Sequence, residues 1–199
     1  MSVILDKAIL PKNYDNYVFD LYGTLVDIHT DESKKEVWEK LALFFGYYGA
    51  AYTSEELREH YELLTSERES RLENSRENAR YAHEAYPEIE LTDVFCELYR
   101  EKGVTADRNL AIHSGQFFRL LSTDYIRLYP GTEEMLAHLK QLGKKVYLLS
   151  NAQRIFTAYE INQLGITQCF DDILISSDYG VKKPDKRFLI SFCKSTGLM

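Results

Sequence analysis

Several features are missing or scarce in this sequence, and each absence removes a class of protein. Nowhere do about 18 apolar residues run together, the length a membrane-crossing helix requires. The opening stretch from Met1 to Tyr17 carries Asp6 and Lys7 where a signal peptide needs an unbroken apolar segment. Cysteine is scarce: Cys96, Cys169 and Cys193 are odd in number, far apart and outside any paired C-x-x-C, against both a disulfide framework and a zinc site. They are expected as reduced thiols packed as small apolar groups, in a cytoplasmic protein with no membrane partner. Positive charge is in deficit, with 24 Lys and Arg against 31 Asp and Glu for a formal net charge of −7, the wrong sign for a nucleic-acid partner. Internal repeats, low-complexity tracts and heptad arrays are also absent.

What remains is ordinary for a soluble globular chain: 199 residues, 45% hydrophobic and 28% charged, enough for one domain or for one core with an inserted subdomain. Tyr17-Val18-Phe19-Asp20-Leu21 is an apolar run broken by one acid and followed by Gly23, the pattern of a buried strand entering a turn. Lys145 to Leu149 runs similarly into Ser150-Asn151, and Asp172 to Ser176 into Ser177-Asp178. Between the last two, Ile155, Phe156, Tyr159 and Leu164 fall at helical spacing before Gly165. Met135, Leu136, Leu139 and Leu142 do the same before Gly143. Strands alternating with helices predict an α/β fold, a parallel sheet with crossover helices.

From Asp31 to about Arg127 strand signals vanish and helical ones take over. Val37, Trp38, Leu41, Phe44 and Phe45 form one amphipathic face, and Thr53-Ser54-Glu55-Glu56 fits a capping box ahead of Leu57, Tyr61 and Leu64. Val94, Phe95, Leu98 and Tyr99 mark a third helix, and Phe117, Phe118, Leu120 and Leu121 a fourth. Four such stripes can bury one another, so residues 31–127 are expected as an all-helical insertion and residues 1–30 with 128–199 as the α/β core. The acidity follows the same division: Thr53 to Glu101 holds 14 acids and 6 bases, leaving a core tolerant of a small anionic substrate.

Three short segments carry the chemistry. Asp20-Leu21-Tyr22-Gly23-Thr24-Leu25 puts a carboxylate at the carboxyl end of a parallel strand, where open α/β sheets bind ligands, and its glycine turn can aim N–H groups at an anion. Such an aspartate either caps the turn or attacks a phosphorus or carbon centre to form an ester that water then cleaves. Ser150-Asn151 brings a hydroxyl and N–H groups to the next strand end, and is otherwise an ordinary N-cap. Lys183-Pro184-Asp185 follows the third strand, Pro184 starting a helix and directing Lys183, whose cation would neutralise both a nucleophile and a transferring phosphoryl group.

As an ordered set, Phe-Asp-Leu-Tyr-Gly-Thr-Leu, Leu-Leu-Ser-Asn and Gly-Val-Lys-Lys-Pro-Asp resemble the haloacid dehalogenase-like (HAD) hydrolase superfamily, and Tyr129-Pro130-Gly131 before a helix is also similar. The resemblance implies a Rossmannoid parallel sheet with an inserted helical cap. It implies Asp20 as nucleophile, Lys183 as the cation that holds the charges together, and Tyr22, Gly23, Thr24, Ser150 and the Asn151 backbone around a phosphate. It further implies Mg2+ on Asp20 and the Tyr22 carbonyl, with a further acid from a fourth motif.

Two departures bear on the reaction. Tyr22 stands where phosphatase members carry a second aspartate for proton transfer, and tyrosine, with an ordinary pKa near 10, is a poor substitute. Dehalogenase members share that tyrosine but use an arginine early in the cap, and here Arg58 is the first arginine after Asp31. Phosphate-ester hydrolysis, with water or a cap residue moving the proton, is therefore set against 2-haloacid dehalogenation and against a catalytically weak relative acting as a binding module. The fourth motif should follow Lys183 by about 25 residues, past Met199, so the core is expected to be truncated at its C-terminus, with an open first-strand edge that a homodimer would cover.

Overall fold

A computed structural model describes residues 14–81 and 84–198; the first thirteen residues of the expected core segment lie outside the described residues. In chain order the elements are β1 (Asn16–Phe19), β2 (Val26–Thr30), α1 (Lys35–Tyr47), α2 (Ser54–Glu73), α3 (Arg76–Ala79), α4 (Leu91–Glu101) and α5 (Arg108–Ser122). They continue with β3 (Thr123–Leu128), α6 (Thr132–Gln141), β4 (Lys145–Ser150), α7 (Arg154–Gln163), β5 (Asp172–Ile175) and α8 (Lys186–Thr196).

β1, β4 and β5 form a parallel sheet in the order β1-β4-β5. β4 lies in the middle because its apolar run suits two covered faces, and every residue from Val146 to Ser150 is buried. Alternation splits those side chains between layers. Val146 and Leu148 pack with Leu136, Leu139 and Ile161 of α6 and α7, whereas Tyr147 and Leu149 pack with Phe188 and Phe192 of α8. Phe19 pairs with Leu148 and Ser150 with Ile175, so the three strands end together and their exits share one rim.

β1 is less buried than its composition predicts. Among the described residues it pairs with β4 alone, and Val18 is 46% exposed. A second difference is the antiparallel ribbon of β2 and β3, where Val26 opposes Leu128 and the Asp27 carboxylate meets Arg127 at 2.7 Å. Helical content was expected as far as Arg127, but Thr123 to Leu128 is strand. The segment gives a weak signal because half its side chains face solvent and only Ile126 and Leu128 pack onto the core.

Between the two ribbon strands, α1, α2, α4 and α5 bury their stripes in a shared cluster that includes Trp38, Phe45, Leu57, Phe95 and Phe118. Phe45 and Tyr99 stack at 4.3 Å. The Thr53 hydroxyl accepts from the Glu56 N–H at 3.1 Å while the Glu56 carboxylate accepts from the Thr53 N–H at 3.4 Å, the reciprocal cap that the sequence predicts. The cluster does not stop at the insertion, because Ile155 and Phe156 of α7 belong to it. Helix α5 approaches α7 closely at Gly115, where a β-carbon would lie 2.2 Å from Ile155 Cδ1.

Three apolar residues placed inward by periodicity are exposed: Leu120, Leu142 and Tyr159. Each sits at the edge of its stripe. In α7 the buried face turns away from Tyr159 and takes in Thr157 and Glu160 instead. Pro184 does not start α8; Asp185 stands outside the helix and caps it, its carboxylate accepting from the Arg187 N–H at 2.9 Å.

Candidate active site

Asp20 leaves β1 at the shared rim. Its Oδ1 accepts from the Leu21 N–H at 2.8 Å and its Oδ2 lies 3.0 Å from the Lys183 ammonium. The turn that follows is tight: the Leu21 carbonyl accepts from the N–H groups of Thr24, Leu25 and Val26, and Gly23 donates to the Val26 carbonyl. Gly23 adopts φ +75°, a left-handed conformation that a side chain would strain. Thr24 is exposed and contributes its N–H to the turn. The Tyr22 carbonyl stays outside the turn's hydrogen bonds.

Lys183 is held from three sides. Its ammonium donates to the Leu149 carbonyl at 2.7 Å, its N–H donates to Asn151 Oδ1 at 2.7 Å, and its carbonyl accepts from Asn151 Nδ2 at 3.0 Å. Asn151 therefore uses its side chain to grip the lysine loop, a role the sequence pattern does not reveal. Ser150 is buried, and its hydroxyl has no hydrogen-bond partner among the described residues. An unmet buried hydroxyl costs on the order of 1–3 kcal/mol, and this one follows directly on Leu149, whose carbonyl holds the Lys183 ammonium. Asp20, Lys183 and Asn151 are thus brought together at the rim, with Ser150 and the Gly23 turn next to them in the chain.

The Tyr22 side chain turns away from this group and into the core. Its hydroxyl lies 3.0 Å from Thr157 Oγ1 and donates to the Glu160 carboxylate, both on α7. Burial, with the charge and hydrogen bond of Glu160 adding to it, pushes the phenol pKa far above its ordinary value. Arg119, near the end of α5, donates to the same carboxylate at 2.6 Å. Burial works against the guanidinium's charge, but the bond and charge of Glu160 outweigh it and raise its pKa.

Sequence reasoning missed three contributions: the Arg119–Glu160 pair, the role of Asp185 and the segment before α4. Glu160 and Arg119 sit in amphipathic helices that bury other polar residues as well, Thr157 in α7 and Ser114 in α5, so nothing local distinguishes them. Asp185 is fully buried and accepts from the Tyr86 N–H at 3.0 Å as well as from the Arg187 guanidinium. The third is the segment before α4, which lies along the loop that carries Lys183: Glu88 N–H donates to the Gly180 carbonyl, and Lys182 N–H to the Tyr86 carbonyl. Glu88 also accepts from Ser176 Oγ at 2.9 Å and from Gln153 Nε2 at 3.2 Å.

No group of three or more His, Cys, Asp or Glu side chains converges on a metal position among the described residues. Asp20 with the free Tyr22 carbonyl is nevertheless a hard, all-oxygen pair, and Mg2+ is commonly held by one or two carboxylates with water and substrate oxygens. The donor set fits that ion.

Residues 14–198 match the haloacid dehalogenase-like hydrolase family. The chain belongs to that family. This HAD-like hydrolase is 33% identical over 73 residues to the glyceraldehyde 3-phosphate phosphatase of Methanocaldococcus jannaschii, a match covering 37% of the chain and 32% of the relative, so it spans about a third of that protein's length. A HAD family enzyme from Bacteroides thetaiotaomicron has a similar fold, with a TM-score of 0.50 at 14% identity over 94% of this chain and 80% of that one. The L-2-haloacid dehalogenase of Xanthobacter autotrophicus aligns over 93% of this chain and 66% of its own, with 22% identity and a TM-score of 0.44. Among the described residues no helix is long and apolar enough to cross a membrane.

Proposed function

We propose that this HAD-like hydrolase cleaves a small phosphate monoester through an aspartyl-phosphate intermediate. The observation that carries the reading is the Asp20–Lys183 ion pair at 3.0 Å at the strand exits, with the buried Ser150 hydroxyl, unpartnered among the described residues, at the end of the adjacent strand. A nucleophile, a cation and an uncommitted donor share one sheet rim, the set that in-line attack on a phosphoryl group needs.

In this reading an Asp20 oxygen attacks phosphorus and the bond to the ester oxygen breaks. Ser150 Oγ and the Asn151 N–H bind the phosphoryl oxygens, and the Lys183 ammonium offsets their charge. The departing alkoxide takes its proton from water or from a residue of the helical segment, because the Tyr22 hydroxyl is committed to Glu160 and Thr157. Water then attacks the aspartyl phosphate, releasing phosphate and restoring the carboxylate. Asp20 and the Tyr22 carbonyl would hold Mg2+, which supplies charge neutralisation at the transferring group.

Helices α1 to α5 serve as the cap over this rim, dividing the chain into a core of residues 1–30 and 128–199 and a cap of residues 31–127. The M. jannaschii relative, named for a small phosphorylated aldehyde, supports a small anionic substrate. Dehalogenation is less well supported: Arg58 lies in an exposed pair with Glu62 at 2.7 Å, and Arg119 is bound to Glu160, so neither is free to receive halide. Three free cysteines suit the cytoplasm, and the β1 edge is where a second copy of the chain would add.

The test is release of p-nitrophenol from p-nitrophenyl phosphate with and without Mg2+, together with acid trapping of a phosphorylated chain. Turnover and trapping that both disappear in Asp20→Asn support the proposal. Full turnover in that variant, or chloride release from 2-chloropropionate in place of phosphate release, overturns it.

A further inference from the structure

Beside the reacting group runs a polar chain that the hydrolysis does not use. It begins at Tyr22, two residues after Asp20 and on the same turn. The phenol donates to Glu160, and Glu160 accepts from Arg119 Nε at 2.6 Å. All three groups sit away from water: Glu160 is 7% exposed and the Arg119 side chain 16%. The guanidinium lies over the Phe156 ring at 5.1 Å and over the Tyr22 ring at 5.7 Å, so apolar walls fix its direction.

The covalent route between the same residues is long. From the turn the chain runs up β2, through the helical insertion, and back down α5 to Arg119, where the Arg119 carbonyl accepts from Ser122 Oγ and Thr123 Oγ1 at the junction with β3. The Arg119–Glu160–Tyr22 contacts close that loop across the base of the insertion. Any shift of α5 over α7 changes the Arg119–Glu160 distance, and a buried carboxylate that loses its cation must find another arrangement with the phenol.

Building on the hydrolase reading above, we propose that Arg119 and Glu160 are positioning residues. Through the Tyr22 phenol they fix the turn that carries Asp20 and the Tyr22 carbonyl, so that the placement of the helical insertion is registered at the nucleophile. Neither residue touches the substrate. A reacting atom misplaced by about 1 Å can cost 100-fold in rate, which makes a tether two residues from the nucleophile a sensitive one.

Two measurements test this, the second independent of turnover. In the first, Glu160→Gln and Arg119→Met lower kcat for p-nitrophenyl phosphate about tenfold with KM changed less than about twofold. Arg119→Lys recovers most of the loss, and in a Tyr22→Phe background neither substitution lowers kcat further. Losses that add to that of Tyr22→Phe overturn the proposal. In the second, the chain is labelled with 3-fluorotyrosine and the Tyr22 fluorine resonance is assigned by its disappearance in Tyr22→Phe. It shifts in Glu160→Gln, which changes the phenol's own acceptor, and in Arg119→Met, which removes both the cation on Glu160 and the guanidinium over the Tyr22 ring; a resonance unmoved in Arg119→Met overturns the proposal. Glu160→Gln keeps the shape of the carboxylate, so it remains informative if Arg119→Met fails to fold. Should the unmodified chain show no turnover while the fluorine shift is present, the hydrolase reading fails and the coupling of α5 to the turn stands.

Discussion

The Lys183 ammonium stands 3.0 Å from the Asp20 carboxylate and 2.7 Å from the Leu149 carbonyl, so one cation spans the exits of two adjacent strands. Lys183→Met leaves the carboxylate without a counter-charge at the moment a phosphoryl group would bring more negative charge to it. The expected result is a fall in kcat of about 100- to 1000-fold, the cost typical of losing one electrostatic stabiliser, with an unchanged circular-dichroism spectrum. Lys183→Arg should recover little, because a planar guanidinium cannot place a compact charge between the same two oxygens. Undiminished turnover in Lys183→Met would remove the lysine from the reaction.

Gly115 lets α5 approach α7, and its space is already taken by Ile155 Cδ1, 2.2 Å from where a β-carbon would lie, and by Phe95 Cε2 at 3.0 Å. Gly115→Ala should destabilise the fold by about 1–3 kcal/mol through overpacking. Urea midpoints read this directly. Adding Ile155→Ala to the same chain should cost less than the two single losses summed, since the shortened side chain vacates the contested space.

Burial pushes the Glu88 carboxyl above its ordinary pKa, and Glu69 adds to the effect against the charge of Lys182 and the hydrogen bonds of Ser176 and Gln153. A carboxyl raised on folding contributes stability that is fully present below its unfolded value and is lost as pH rises through the folded one. Glu88→Gln keeps the shape without the charge. Its urea midpoint should therefore gain on that of the unmodified chain over the pH range above the ordinary glutamate value of about 4.3. A constant difference across that range would contradict the assignment.

Asp185 has the opposite sign. Burial alone would raise it, but the Arg187 guanidinium and the N–H groups of Tyr86 and Arg187 hold it below the usual carboxylate range. Its contribution is present above its unfolded pKa, about 3.9, and is lost as pH falls through the lower folded value. Asp185→Ala leaves the 16%-exposed Arg187 side chain without that carboxylate, at a cost of about 3–5 kcal/mol by urea unfolding at neutral pH. Asp185→Asn should flatten the acid limb of the stability curve.

The sheet and its rim were legible in the sequence because a parallel strand must be apolar along its length and polar where it ends. β4 shows this from Val146 to Ser150, and the same change from apolar run to polar exit marks Asp20 and Ser150 in the sequence. The helical stripes were legible for the same reason, down to the cap at Thr53. The β2–β3 ribbon was not, because a short strand with solvent on one side carries about as many polar as apolar residues.

Local pattern by itself determined which residues stand at strand ends and which helix faces are apolar, since both follow from periodicity along a few consecutive positions. Only the tertiary structure decided that the Asn151 side chain grips the Lys183 backbone, that Tyr22 turns into α7, and that Glu160 meets Arg119 across 41 positions of chain. The Arg119–Glu160 pairing depends on how α5 settles on α7, where Gly115 meets Ile155, and no periodicity in either helix encodes where that contact falls.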